Sequence, residues 1–199
     1  MRKMTLSQRL LFPLLALFIL AGCSTRPNTT LNINPEMTLP QQDTSLMGAT
    51  ISLVSDDQRQ DPSLAKLNRD GQLLSLTPSR DMRFLMQEVL EKQLRARGYM
   101  VGPEGSVNVQ VVINNLFADV QEGDLRYNIS AKVDISIICQ AKSGATQTKN
   151  FRSTHNVKGA FSATNKNVEN VLNDALTSTI KEMAEDTSIS DFIRQNARG

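Results

Sequence analysis

Hydrophobic and polar positions change their spacing several times along the chain, and each spacing predicts a different element. From residue 82 to residue 94, apolar side chains recur at intervals of three or four, which places them on one face of an α-helix. Thr77–Ser79 supplies capping chemistry, Asp81 is expected in the first turn, and Gly98 is suited to end the helix. The same spacing predicts a second helix from about Asn165 to Glu185. The apolar face of the first helix comprises Met82, Leu85, Met86, Val89, Leu90 and Leu94.

Alternation of apolar and polar residues predicts β-strands elsewhere in the chain. A first strand is expected at 49–54, and Asp70-Gly71 favours a tight hairpin between 64–67 and 73–76. Short polar turns containing glycine then separate three longer strands, which is typical of an antiparallel meander. The middle strand alternates most regularly and is predicted to be central. The three long strands are Val107–Val120, Arg126–Gln140 and Thr146–Val157.

The order of these elements predicts one α+β domain over residues 48–199. A mainly antiparallel sheet would carry two helices packed on one of its faces. Phe192 and Ile193, in a short terminal segment, would attach the end of the chain to the body.

The N-terminus has the pattern of a secretory signal. Arg2, Lys3 and Arg9 precede an apolar run, Leu10–Leu20, which is too short to span a bilayer as a helix. The run ends in Leu20-Ala21-Gly22-Cys23, which resembles the lipobox of bacterial lipoproteins.

The lipobox resemblance implies cleavage of the signal peptide 1–22 between Gly22 and Cys23. Cys23 would then become S-diacylglyceryl cysteine and N-palmitoyl cysteine, and several acyl chains together give a stable membrane anchor. The residue after Cys23 is Ser24. By family analogy, an Asp at this position would retain a lipoprotein in the inner membrane. We therefore expect the outer membrane, in its inner leaflet, with the domain facing the periplasm.

Residues 23–47 are predicted to be the acylated cysteine and a flexible tether. Pro27, Pro35 and Pro40 and many polar residues favour an irregular chain there. An edge strand at Leu31–Ile33 is the alternative.

Charge and cysteine content exclude some classes of function. Cleavage would remove three of the 22 basic residues and none of the 20 acidic ones, so the mature chain is nearly neutral and nucleic-acid binding is not expected. The chain has two cysteines, so acylation of Cys23 would leave Cys139 without a disulfide partner.

Residue types that carry chemistry are few and scattered. His155 is the single histidine, and we interpret it as a surface or edge-strand residue rather than a general base. Cys139, on the apolar face of its strand, is interpreted as an inert core thiol. Asp56, Asp57 and Asp61 lack the spacing of a calcium loop and are expected in a solvated loop. The sequence predicts no catalytic residue, no metal site and no cofactor beyond covalent lipid at Cys23.

Several long stretches resemble the YajG family of bacterial lipoproteins. The resemblance implies a membrane-anchored lipoprotein, and lipidation of Cys23 is the one property that it assigns to a residue. The matching stretches are the lipobox LAGC, Thr38–Gly48, Ser79–Gly105, Arg126–Ile137 and Asp186–Arg198.

Two hypotheses of function follow. The first is a non-catalytic envelope module that binds a protein partner or a cell-wall component through its sheet edge, its polar sheet face or the helix start Arg80–Arg83. The alternative is a carrier of lipid or a small apolar ligand, with a cavity between helices and sheet. Such a cavity would be lined by Met82, Met86, Val89, Leu172 and Leu176.

Overall fold

The computed structural model describes residues 27–69 and 71–196. The predictions for the signal peptide, its cleavage site, Cys23 and Ser24 lie outside these residues. Within them, eight strands form one sheet and three α-helices are present. None of the described helices combines the length and apolar character needed to cross a membrane. The strands are β1 (Thr30–Leu31), β2 (Thr50–Asp57), β3 (Ala65–Arg69), β4 (Gln72–Pro78), β5 (Met100–Val101), β6 (Val107–Glu122), β7 (Arg126–Ala141) and β8 (Thr146–Ala160), and the helices are α1 (Met82–Arg97), α2 (Asn165–Glu185) and α3 (Ser188–Asn196).

The predicted meander is confirmed. β7 pairs antiparallel with β6 on one side and with β8 on the other, so it is central to these three strands. One face of β7 is buried beneath the helices because its apolar side chains alternate without interruption. The buried residues on that face are Tyr127, Ile129, Ala131, Val133, Ile135, Ile137, Cys139 and Ala141.

The other edge of β6 is shared by two partners, which makes the sheet mixed. β2 pairs parallel with the first half of β6, from Ile51 opposite Val107 to Asp57 opposite Ile113. A bulge at Asn114 separates the halves, and the predicted hairpin of β3 and β4 joins the second half where Ala65 lies opposite Ala118. β5, which was not predicted, pairs parallel with the start of β2.

Local chemistry fixes the helix ends. Asp81 is the N-cap of α1, and its side chain accepts a hydrogen bond from the backbone N–H of Arg83. The sequence had predicted capping by Thr77–Ser79 and had placed Asp81 in the first turn. The helix therefore begins later than predicted, and Asp81 itself is the cap. Gly98 ends α1 with a φ of 113°, as expected of a C-cap glycine. α2 begins with a capping box between Thr164 and Asn167.

The C-terminal segment forms a third helix rather than a short irregular end. α3 buries Phe192 and Ile193 against the domain, so the predicted attachment is confirmed while the number of helices rises from two to three. The α+β class is as predicted.

The predicted tether is wrong for the part that the structure describes. β1 pairs parallel with β4, and Leu31 and Ile33 are buried, which confirms the edge-strand alternative. Beyond β1, three backbone N–H groups donate to side chains of α2. These bonds join Asn32 to Glu169 (2.7 Å), Asn34 to Asn173 (2.8 Å) and Glu36 to Thr177 (3.0 Å). The segment is polar because its alternate residues face solvent, and it is nevertheless part of the domain.

Candidate functional site

A cleft of about 490 Å³ opens between the end of β2 and the start of α1, and we call it the arginine cleft. It includes the helix start that the sequence singled out. Its charged lining residues are Asp57, Arg59, Arg80, Asp81 and Arg83.

Arg59 forms the inner wall of the arginine cleft. Its Nε and Nη2 donate to the two carboxylate oxygens of Asp57 at 2.9 and 2.7 Å, and Nη1 donates to the backbone oxygen of Leu116 at 3.1 Å. Burial raises the pKa of Asp57, but the hydrogen bonds from Arg59 outweigh it and the pKa lies below its ordinary value of 3.8. This ion pair is therefore fixed and charged at neutral pH.

The outer wall comes from the first turn of α1 and the two residues before it. The guanidinium of Arg83 donates to both carboxylate oxygens of Asp81, and this contact lowers the pKa of that carboxyl. Arg80 donates to Glu88 at 2.9 Å. Lys92 and then Arg80 lower the pKa of Glu88 to about 2. These ion pairs are solvent-exposed, so they contribute little to stability and remain accessible to a binding partner.

Phe84 adds an apolar element beside these charges. It follows Arg83 on α1 and is 65% exposed. An exposed aromatic residue next to an arginine in the chain is a typical component of protein interaction surfaces, where aromatic residues and arginine are enriched.

His155 lies in a second groove, between β8 and α2. Its Nε2 is 3.4 Å from a carboxylate oxygen of Asp174. The nearby hydroxyl of Ser178 donates to the backbone oxygen of Asp174 rather than to the imidazole. The edge-strand interpretation of His155 is thus confirmed, and this arrangement does not assemble an activated nucleophile.

The remaining candidates occupy separate places. Cys139 is buried, and burial raises the pKa of its thiol to about 12, which confirms a core thiol. Asp57 pairs with Arg59, Asp61 pairs with Lys66, and Asp56 accepts from the backbone N–H of Asp57. Between residues 27 and 196, leaving out residue 70, no three His, Cys, Asp or Glu side chains are grouped as a metal site requires.

The residues expected to line a carrier cavity are packed instead. All five belong to one continuous core and are almost fully buried, so the contacts offer no support for the carrier hypothesis. These residues are Met82, Met86, Val89, Leu172 and Leu176.

Three polar residues that organise the domain escaped sequence reasoning. Arg59 was missed because its position depends on strand pairing. Gln93 is buried, and its Nε2 donates to the backbone oxygens of Thr38 (3.0 Å) and Ile180 (2.8 Å). The sequence did contain a sign of this role, because Gln93 is a polar residue on the otherwise apolar face of α1.

Arg97 is the third of these residues. From the end of α1 it donates to the backbone oxygens of Ala184 and Asp186, both at 2.6 Å, at the end of α2. We call this group the helix-end clamp. It satisfies carbonyl groups that a helix C-terminus leaves without partners.

Fold and sequence together define the class of this protein. The fold is shared with a Xanthomonas campestris protein of the DUF330 family, whose crystal structure matches with a TM-score of 0.57 and 12% identity over 86% of this chain and 100% of that one. At this identity the similarity concerns the fold alone.

Sequence comparison gives the family. Residues 35–194 match the family model Lipoprotein_16, described as uncharacterized lipoprotein. The lipoprotein YajG of Escherichia coli K12 is 57% identical over 191 residues, covering 96% of this chain and 99% of the relative, and the protein of the same name from E. coli O6:H1 gives the same values. The chain therefore belongs to the Lipoprotein_16 family. The predicted resemblance is confirmed, and the family match begins inside the segment that was expected to be a tether.

Proposed function

We propose that this protein is a non-catalytic binding module of the bacterial envelope, held by acyl chains on Cys23 after cleavage between Gly22 and Cys23. The lipobox and the membership of a lipoprotein family support the anchor. Ser24 favours the inner leaflet of the outer membrane, with the domain in the periplasm.

The observation that carries the binding role is the arginine cleft with Phe84 at its side. Each of its three guanidinium groups already has a carboxylate partner, so a free anion would have to compete with Asp57, Asp81 and Glu88. A protein surface with charges of both signs and one apolar residue complements this cleft better than a small anion does. We therefore propose an envelope protein as the partner and treat a cell-wall component as an outcome of the test.

The anchor is tested by counting thiols. The chain has two cysteines, and a thioether at Cys23 would leave Cys139 as the single free thiol. We expect one reactive thiol per denatured mature chain, and an intact mass that includes three acyl chains. Two thiols and no added mass would refute the anchor.

The binding role is tested by crosslinking in cells. A photoreactive amino acid is placed at Ser79, an exposed residue lining the cleft, or at Phe84, and at Thr154 on the exposed face of β8 as the control. We expect one protein adduct of the same mass from both cleft positions, absent from the control and lost when Arg80→Glu reverses a cleft charge. An adduct containing cell-wall material would change the partner, and equal adducts from all three positions would refute the cleft as the site.

A further inference from the structure

Three large apolar side chains are exposed at one end of the domain, and we call them the apolar tip. They are Leu73, Leu125 and Phe161, which are 68%, 70% and 72% exposed. The backbone N–H of Phe161, just after β8, donates to the backbone oxygen of Leu125 at 2.9 Å. Leu73 lies near the turn of the β3–β4 hairpin, and Arg69 ties that hairpin to Glu122 and to the backbone oxygen of Ala163.

The first described residues of the chain lie at this same end. The side-chain amide of Asn165, the first residue of α2, donates to the backbone oxygen of Asn28 at 2.7 Å. Phe161 precedes Asn165 by four residues, so their Cα atoms lie at most about 14 Å apart, and Asn28 is one side-chain hydrogen bond further on. The chain therefore enters the domain beside these exposed apolar groups.

The length of chain before Asn28 limits how far this end can lie from a membrane. Five residue steps separate Cys23 from Asn28, and a fully extended chain spans at most about 18 Å over that length. The opposite end of β6 lies about 50 Å away, because β6 has 16 residues and a strand rises about 3.3 Å per residue. An anchor at Cys23 thus keeps the apolar tip, and not the opposite end, near the lipid.

The chemistry of the tip fits a lipid surface. Phe161 has a φ of 63°, a left-handed conformation that is unfavourable for a residue other than glycine. Because its ring is largely exposed, packing within the domain does not offset this cost. Aromatic rings are favoured at the membrane interface.

Basic side chains flank the tip. Arg126, Lys158 and Lys166 are exposed there, with Asp124 as an acidic neighbour. Lys166 pairs with Glu169, and Glu122 pairs with Arg69, so the tip has a small excess of basic side chains. Lysine and arginine near a bilayer are attracted to anionic headgroups, so this excess is compatible with an anionic membrane.

We propose that the apolar tip inserts into the interfacial region of the membrane that holds the lipid anchor, as a second and non-covalent contact. This inference rests on the proposed acylation of Cys23. In this orientation the long strands point away from the bilayer, so that the apolar tip lies in the membrane interface and β5 lies at the end of the domain far from the membrane.

The natural chain contains no tryptophan, so a single tryptophan reports on depth in the membrane. Acylated Phe161→Trp protein is reconstituted into vesicles of phosphatidylethanolamine and phosphatidylglycerol, with and without brominated acyl chains. The control is Met100→Trp, since Met100 in β5 is similarly exposed (59%) at the opposite end. We expect at least threefold stronger quenching by brominated lipid at position 161 than at position 100. Equal quenching at both positions would overturn the proposal.

A second variant separates docking from folding. Phe161→Gly removes the ring and relieves the left-handed strain, so its melting temperature should equal or exceed that of the parent. In a Leu125→Trp background it should reduce quenching of the tryptophan by at least half, and unchanged quenching would count against insertion. The intact mass distinguishes the two proposals: an acylated protein without quenching refutes docking alone, whereas a chain without acyl groups refutes the anchor and, with it, the argument for docking.

Discussion

Arginine serves opposite purposes in the helix-end clamp and in the arginine cleft. In the clamp, Arg97 is partly buried and donates to backbone oxygens of another helix, about 90 residues away in sequence. In the cleft, Arg80 and Arg83 are exposed and pair with carboxylates eight and two residues away, respectively. An arginine that donates to backbone oxygens of a distant element stabilises the fold, whereas an exposed arginine paired with a nearby carboxylate contributes little to stability.

The reason lies in what removal leaves behind. Loss of Arg97 leaves backbone oxygens at the end of α2 without donors, and backbone oxygens cannot move away to reach water. Loss of Arg83 leaves Asp81, whose carboxylate is readily hydrated at the surface. The contacts of the clamp are thus structural, as are those of the buried Arg59 side chain, whereas the contacts of Arg80 and Arg83 are available for exchange with a partner.

The largest expected effect is at the clamp. Arg97→Met should lower the free energy of unfolding by about 4 kcal/mol, because it leaves buried carbonyl groups without partners. Urea denaturation followed by circular dichroism measures the change. Arg95→Met is the matched control. Arg95 lies in the same turn, but its contacts with Glu91 and with the backbone oxygen of Val101 (3.3 Å) are exposed to water, so the urea midpoint of this variant should shift little. Equal losses in both variants would contradict the comparison.

The second largest loss of stability is expected at Gly105, where two backbone segments lie close together at the same end of the sheet. A Cβ on Gly105 would overlap the backbone of Ile51 and Ser52, so β2 or the start of β6 would have to move. We expect Gly105→Ala to cost about 3 kcal/mol in the same assay. A Cβ on Gly102 would meet nothing closer than a methyl group of Thr50 at 3.8 Å, so Gly102→Ala should be tolerated. Equal stability of the two variants would show that the backbone of β2 does not lie as close to Gly105 as the structure has it.

Sequence periodicity correctly predicted those elements that bury one continuous face against the rest of the domain. α1, α2 and the meander qualify because a single buried face imposes one uninterrupted period, and the bounds of α2 agree with the prediction. β5 has only two residues, which is too few to show alternation. The tether was misjudged because its apolar residues are few, and its remaining contacts are backbone donors that leave no pattern in the sequence.

The candidate site was predicted only in part, for the same physical reason. The helix start Arg80–Arg83 is contiguous in sequence and could be singled out as an exposed charged turn. Arg59 joins it because β2 pairs parallel with β6, which brings the guanidinium to the backbone oxygen of Leu116. Proximity that depends on strand pairing is not encoded in the local pattern.

A pH-dependent effect of intermediate size is expected at Asp186, which ends α2. Burial raises the pKa of this carboxyl, but hydrogen bonds from Ser188 and Lys149 outweigh it, so the folded pKa lies below 3.8. The ionised form therefore favours folding above pH 3.8, and this stabilisation is lost as the pH falls through the folded pKa. Asp186→Asn should cost about 1 kcal/mol at pH 7. Denaturation curves of variant and parent should converge as the pH falls through the folded pKa of Asp186, and a constant difference across pH would exclude this origin.

The smallest effect on stability is expected in the arginine cleft, where the effect on binding should be largest. Arg83→Ala should leave the urea midpoint unchanged, because Arg83 pairs with Asp81 at an exposed position and the backbone N–H of residue 83 still caps onto Asp81. The same variant should remove most of the crosslinked adduct formed from a probe at Phe84. Arg83→Lys keeps the charge but cannot donate to both carboxylate oxygens in the planar geometry of a guanidinium, so it should restore only part of the adduct. A variant that lost stability and adduct together would place Arg83 with Arg97 among the structural arginines.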